Sequence, residues 1–243
     1  METSFSLTHK EYIEKNKKLA KEGAFSGMAL QEWHKDTCWS SMVEYFSPTH
    51  WLDYGCGPGY AYEWIEEDPR SRRAVAVALN TDSKFTLYDP CHEKHNVFPT
   101  EKEFPGVMCI DVIEHIPETD TKATLDYLFS VCTEWMFLFI STKRTARAFL
   151  DEDGNTHCTL KTRDEWVSII NEYASKVNFP VILATDYQNN TFDHKGKYMT
   201  YDDWNMPADL QEIIKTKRAH FERVSPDVFK EQPWHLTESN FNV

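Results

Sequence analysis

The chain has 243 residues, 41% hydrophobic and 27% charged, enough apolar material for one sizeable domain with its own core. Its net charge of -13 at pH 7 excludes a protein that coats nucleic acid through a broad basic surface, so duplex nucleic acid is not an expected partner. No apolar run is long enough to span a membrane and residues 1–24 lack a signal-peptide core, so a cytoplasmic protein without a membrane partner is expected.

Residues 8–21 read as a charged helix, with Thr8 and Glu11 as its capping pair and residues 16–21 as a solvated face. Phe25-Ser26-Gly27 breaks it. Residues 29–46 then place Leu30, Trp33, Trp39, Met42, Val43 and Phe46 at the spacing of an amphipathic helix. Trp51-Leu52-Asp53-Tyr54-Gly55-Cys56-Gly57-Pro58-Gly59-Tyr60 follows, an apolar approach that ends in an acid and three alternate glycines. This reads as a first strand running into a tight loop that opens a helix over residues 60–67. Gly55, Gly57 and Gly59 permit positive φ and put no Cβ where a ligand comes closest.

Phe85-Thr86-Leu87-Tyr88-Asp89-Pro90 alternates and ends in an acid, as a second strand would, with an insertion over residues 70–83 before it. Between Asp89 and Gly106 there is room for a loop or a single turn but not for a full helix and strand. The run from Gly106 to Ile110 suits a strand buried on both faces, and it delivers Asp111 to its carboxyl end. Residues 119–132 read as a helix and residues 135–140 as another apolar strand. Lys143, Arg144 and Arg147 follow it, either as a solvated loop or as cations that meet a phosphate or carboxylate.

Asp153-Gly154-Asn155 is turn chemistry, and Thr162 with Glu165 forms a capping box for a helix carrying Trp166, Ile169 and Ile170. Residues 179–187 and 197–204 read as an antiparallel strand pair. Residues 207–224 read as a helix with Lys215, Lys217, Arg218 and Arg223 facing solvent, and the tail from Ser225 covers the acceptor pocket or packs passively. The whole is an α/β protein, a Rossmann-like sheet with helices on both faces. Its single domain divides into N-terminal helices (1–48), a core (49–190) and a C-terminal strand, helix and tail (191–243). Six scattered cysteines, Cys38, Cys56, Cys91, Cys109, Cys132 and Cys158, include no C-x-x-C pair, which suggests reduced thiols rather than zinc ligands or disulfides.

Asp53-Tyr54-Gly55-Cys56-Gly57-Pro58-Gly59 resembles the first motif of the class I S-adenosylmethionine-dependent methyltransferases, and Asp111-Val112-Ile113-Glu114-His115-Ile116-Pro117 resembles the fourth-strand motif of that superfamily. The later order, a D-G-N-x-H loop and then a helix with an early Trp, resembles a group common in phage and marine bacterial genomes. The resemblance implies an enzyme that binds S-adenosylmethionine. It assigns the cofactor to Asp53, Gly55, Cys56, Gly57, Gly59 and Asp111, and the ribose diol to Asp89. Elements ahead of the first motif often lie over the cofactor in that superfamily, which makes Phe25 and Trp33 candidates for lining the site or for core packing.

For catalysis the candidates are Glu114, His115 and His157. Methyl transfer to a hydroxyl needs alignment and a base, which His115 or His157 can supply. Alternatively, Asp111, Glu114, His115 and His157 resemble the ligands of metal-assisted O-methyltransferases, and two carboxylates with two imidazoles can hold one divalent ion. A plainer reading has Glu114 and His115 hydrogen-bonding the loop after the fourth strand. The expected acceptor is an oxygen or nitrogen of a small molecule or a terminal group. A non-catalytic cofactor-binding protein is one alternative. A nicotinamide-dependent oxidoreductase is another, against which the glycine spacing speaks.

Overall fold

The computed structural model describes residues 7–21, 37–59, 62, 83–143, 156–186 and 199–224. The expected helix over 60–67 apart from Tyr62, most of the 70–83 insertion, Phe25, Trp33, Arg144, Arg147, the turn at 153–155 and the tail from Ser225 lie outside the described residues. So do the side chains of Cys38, Trp39, Lys217, Arg218 and Arg223.

In chain order the elements are α1 (Leu7–Lys21), α2 (Thr37–Phe46), β1 (His50–Tyr54), β2 (Lys84–Tyr88), β3 (Phe104–Ile110), α3 (Glu118–Val131), β4 (Cys132–Ile140), α4 (Arg163–Ala174), β5 (Val181–Asp186), β6 (Met199–Trp204) and α5 (Ala208–Val224). Single 3-10 turns sit at Glu93–His95 and Ile113–His115. The strands form one sheet in the order β2-β1-β3-β4-β5-β6. The first five are parallel and β6 is antiparallel to β5.

Alternation along each strand decides what each face buries. Leu52 and Tyr54, Val107 and Cys109, Met136, Leu138 and Ile140, Val181 and Leu183 go to one face, where α3 and α4 cover them with Leu125, Leu128, Trp166 and Ile170. Trp51, Met108 and Ile110, Trp135, Phe137 and Phe139, Ile182 and Ala184 go to the other, under Met42 and Val43 of α2 and Leu210 and Ile214 of α5. A strand covered on both sides has no polar face to show, which is why β3 and β4 read as continuous apolar runs. Thr162 and Glu165 form the expected reciprocal cap on α4.

Three expectations change in detail. α1 begins at Leu7, so Thr8 lies inside its first turn rather than capping it. Cys132 opens β4 instead of ending α3. Asn16, placed by its charged neighbourhood on a solvated face, is buried at 8% exposure. Among the described residues, no helix is long and apolar enough to cross a membrane.

Candidate functional site

The carboxyl ends of β1, β2 and β3 lie side by side, because β1 pairs with both of the others. In an open parallel sheet this is the edge where ligands bind. The loop after β1 is held there by its neighbours: the Gly55 and Cys56 N–H groups donate to the Tyr88 carbonyl at 2.7 and 3.2 Å. All three glycines adopt positive φ, 91° at Gly55, 60° at Gly57 and 75° at Gly59. At Gly55 a Cβ would come within 2.1 Å of Val112 Cγ2, and at Gly59 within 2.5 Å of His95 Nε2. These two glycines therefore seat the loop against the turns after β3 and β2.

Asp89 follows β2 and is half-buried. One carboxylate oxygen accepts the Gly57 N–H at 2.9 Å and the other the Cys91 N–H at 2.7 Å, so the acid ties the glycine loop to its own turn. Each carboxylate oxygen has a second lone pair, which leaves two parallel acceptors for a diol. Asp53 is buried on β1 and accepts the Tyr62 hydroxyl at 2.7 Å. Burial pushes its carboxyl up to about 7, the Tyr62 hydrogen bond opposes this, and the Asp89 charge adds to it.

That shift makes a prediction about stability. Between the ordinary value of 3.8 and about 7 the folded state holds a proton on Asp53 that the unfolded chain has released, so stability falls as pH rises through that window. Asp53→Asn keeps the Tyr62 acceptor and removes the titration. In thermal melts without ligand, its advantage over the native protein should grow by about 1 kcal/mol per pH unit up to about pH 7 and then level off. A constant offset across pH would contradict the assignment.

β3 ends abruptly at Asp111, whose φ of 61° is a left-handed conformation that costs a non-glycine residue about 1 kcal/mol or more. The Asp111 N–H still pairs with the Phe139 carbonyl of β4 at 3.0 Å, and the 3-10 turn Ile113–His115 follows at once. Glu114 on that turn is fully buried. One of its oxygens accepts the Ser141 N–H at 2.8 Å and the other has no hydrogen-bond partner among the described residues. Burial, and after it the Asp111 charge, raises the Glu114 carboxyl well above the usual range.

Residues 156–159 are stitched onto this turn from a distance in sequence. The Thr159 N–H donates to the Glu114 carbonyl at 3.0 Å and its hydroxyl to the Ile116 carbonyl. His115 Nδ1–H donates to the Thr156 carbonyl at 2.7 Å, and His157 Nδ1–H to the Lys143 carbonyl. Each carbonyl fixes its imidazole with Nε2 as the nitrogen that carries the lone pair. The rings meet edge to face, with centroids 4.6 Å apart.

One ligand atom each from Asp111, Glu114 and His157 all lie within 4.8 Å of one another. A divalent cation with bonds of about 2.1–2.5 Å separates neighbouring ligands by roughly 3–4 Å, so a small contraction would close this group around one. His115 stands beside the group rather than in it. Burial and the neighbouring His157 bring its pKa down to about 4, so it is neutral at pH 7.

The structure thus gathers Asp53, Gly55, Cys56, Gly57, Gly59, Asp89 and Asp111 at one edge, with Glu114, His115 and His157 beyond them. Lys143 is exposed and gives the site its backbone carbonyl. Sequence reasoning missed Tyr62, Ser141 and Thr159. Only Tyr62, nine residues after Asp53 in an expected helix, carried a signal of any kind.

A family model described as a methyltransferase domain matches residues 20–177, well over half of the chain. No curated protein and no solved structure matches the chain.

Proposed function

This chain belongs to the methyltransferase-domain family, which makes it an S-adenosylmethionine-dependent methyltransferase, and on that premise we propose that it methylates an acceptor hydroxyl next to a divalent cation held by Asp111, Glu114 and His157. The observation that carries the proposal is the unpaired, fully buried oxygen of Glu114 in a carboxylate–imidazole group. Burial and Asp111 keep this carboxyl protonated in the ligand-free protein, and a cation in the group would take the place of that proton and give the buried oxygen its partner. Family membership removes the nicotinamide and non-catalytic alternatives.

When bound, S-adenosylmethionine supplies a methyl group on a sulfonium, which an acceptor nucleophile displaces in line. A cation in the group would supply positive charge that lowers the pKa of an acceptor hydroxyl. The protein's own residues do the positioning. Asp89 takes the ribose diol, with its two backbone N–H contacts fixing the plane of the carboxylate. Gly55 packs on Val112, the residue after Asp111, so the cofactor loop and the cation group share a wall. This contact brings a methyl donor and a hydroxyl acceptor together.

His115 is a weak base, since burial and the neighbouring His157 bring its pKa down to about 4 and its free nitrogen holds a proton poorly at pH 7. Its role is to hold the His157 ring edge to face. The acceptor class is a hydroxyl of a small molecule or a terminal group. With a net charge of -13, the chain has no general attraction for a duplex.

The test is a screen of hydroxyl and amine acceptors, scored by S-adenosylhomocysteine release, in chelator and after Mg²⁺ or Mn²⁺ is added back. Turnover on hydroxyl acceptors that is lost in chelator and restored by cation is the expected result. Full turnover in chelator, or turnover on amines alone, would overturn the proposal.

A further inference from the structure

The buried face of α1 is largely polar. His9, Ile13 and Asn16 lie along one side of the helix and are all buried, with Tyr12 half-buried beside them. Two contacts fix where this face looks. His9 Nδ1 lies 3.5 Å from Asp120 Oδ2 in the first turn of α3. The Tyr12 hydroxyl donates at 3.3 Å to the Thr156 carbonyl, the oxygen that also receives His115 Nδ1–H. Further along, burial and then Asp89 push the Cys91 thiol up, and Lys17 and Glu14 of α1 act on it as well. The His9–Tyr12 part of the helix therefore lies against the turns that carry the cation group, and Glu14 and Lys17 further along are near enough to Cys91, two residues after Asp89, to act on its thiol.

Asn16 lies one turn beyond Tyr12, between Glu14 and Lys17. Its amide oxygen is buried and has no hydrogen-bond partner among the described residues. An unpaired buried acceptor costs about 1–3 kcal/mol, and it persists where a ligand supplies the donor.

We infer that Asn16 binds the cofactor, its amide oxygen receiving a hydrogen bond from a donor group of S-adenosylmethionine lying beneath α1. The inference rests on the reading that the cofactor occupies the edge between Asp89 and Asp111. Two parts of the cofactor offer such a donor, the amino group of the methionine portion and the N–H and O–H groups of the adenosine portion.

The experiment is calorimetric titration of the native protein and Asn16→Leu with S-adenosylhomocysteine and with 5′-methylthioadenosine, which lacks the amino acid. Ligand-free thermal melts accompany it. Asn16→Leu should bind S-adenosylhomocysteine about tenfold more weakly. Its ligand-free melting temperature should stay equal or rise, because the variant deletes an unpaired acceptor. The smaller Asn16→Ala should weaken binding in the same way. A loss confined to S-adenosylhomocysteine places the donor on the amino group, and a loss shared with 5′-methylthioadenosine places it on the adenosine portion. Equal affinities of variant and native protein would overturn the inference while leaving the cofactor edge intact. A melting temperature that falls along with affinity in both variants would make Asn16 structural and also overturn it. If the native protein bound neither compound, the cofactor edge would fail and the inference with it.

Discussion

Glu114→Gln should weaken divalent-cation binding by at least about 100-fold while leaving the fold and the cofactor affinity in place. The variant has nearly the volume of the native side chain, and its amide oxygen can still accept the Ser141 N–H that Glu114 receives at 2.8 Å. What it loses is the negative charge that the fully buried carboxyl beside Asp111 can offer a cation on giving up its proton. Without a cation the raised pKa keeps Glu114 protonated and uncharged, as glutamine is, so the ligand-free variant should melt no lower than the native protein. Mn²⁺ titration by calorimetry reads the first effect and S-adenosylhomocysteine titration the second. Unchanged Mn²⁺ affinity in the variant would show that the cation, if bound, sits elsewhere. A large loss of cofactor affinity would show that Glu114 serves the cofactor edge, as the plainer reading, in which it hydrogen-bonds the loop after Ile110, has it.

Asp89→Ala should abolish measurable cofactor binding, with affinity for S-adenosylhomocysteine lower by about 100-fold or more. Two hydrogen bonds to a charged acceptor contribute about 1.5–3 kcal/mol each, and either end of that range doubled reaches this loss. The side chain also organises the protein, since it joins the Gly57 N–H to the Cys91 N–H. Asp89→Asn should consequently be almost as damaging. Both native oxygens already face N–H donors, so an amide must turn its own donor toward one of them. Binding within threefold of native in the alanine variant would remove Asp89 from the ribose role.

The sheet was legible because burial on both faces leaves no ambiguity in β3 and β4, and because Thr162 and Glu165 announce the start of α4 directly. Counting residues between Asp89 and Gly106 left space for a loop or a single turn, and the 3-10 turn Glu93–His95 lies in that stretch. Asp111, Glu114 and His115 were visible as candidates because they fall in one short stretch.

The rest of the site depends on contacts that no local pattern carries. His157 reaches the cation group through Thr159, whose two hydrogen bonds to the Glu114 and Ile116 carbonyls have no signature in sequence. Residues 16–21 of α1 read as solvated because helical periodicity separates apolar from polar faces and cannot tell a polar residue in water from one that is buried. Asn16 was misread for that reason. Similarly, Gly55 and Gly59 invited a reading in terms of ligand approach alone, whereas Val112 and His95 fill the space beside them.

The central claim is that the cofactor edge and the cation group are one site, joined where Gly55 meets Val112. The most direct test is nuclear magnetic resonance of S-adenosylmethionine carrying a ¹³C-labelled sulfonium methyl, bound to the protein as Mn²⁺ is added, with Glu114→Gln as the control. Strong Mn²⁺-dependent broadening of that methyl signal in the native protein, absent in Glu114→Gln, is the predicted result. A bound methyl signal that Mn²⁺ leaves sharp, or one broadened equally in both proteins, would contradict it.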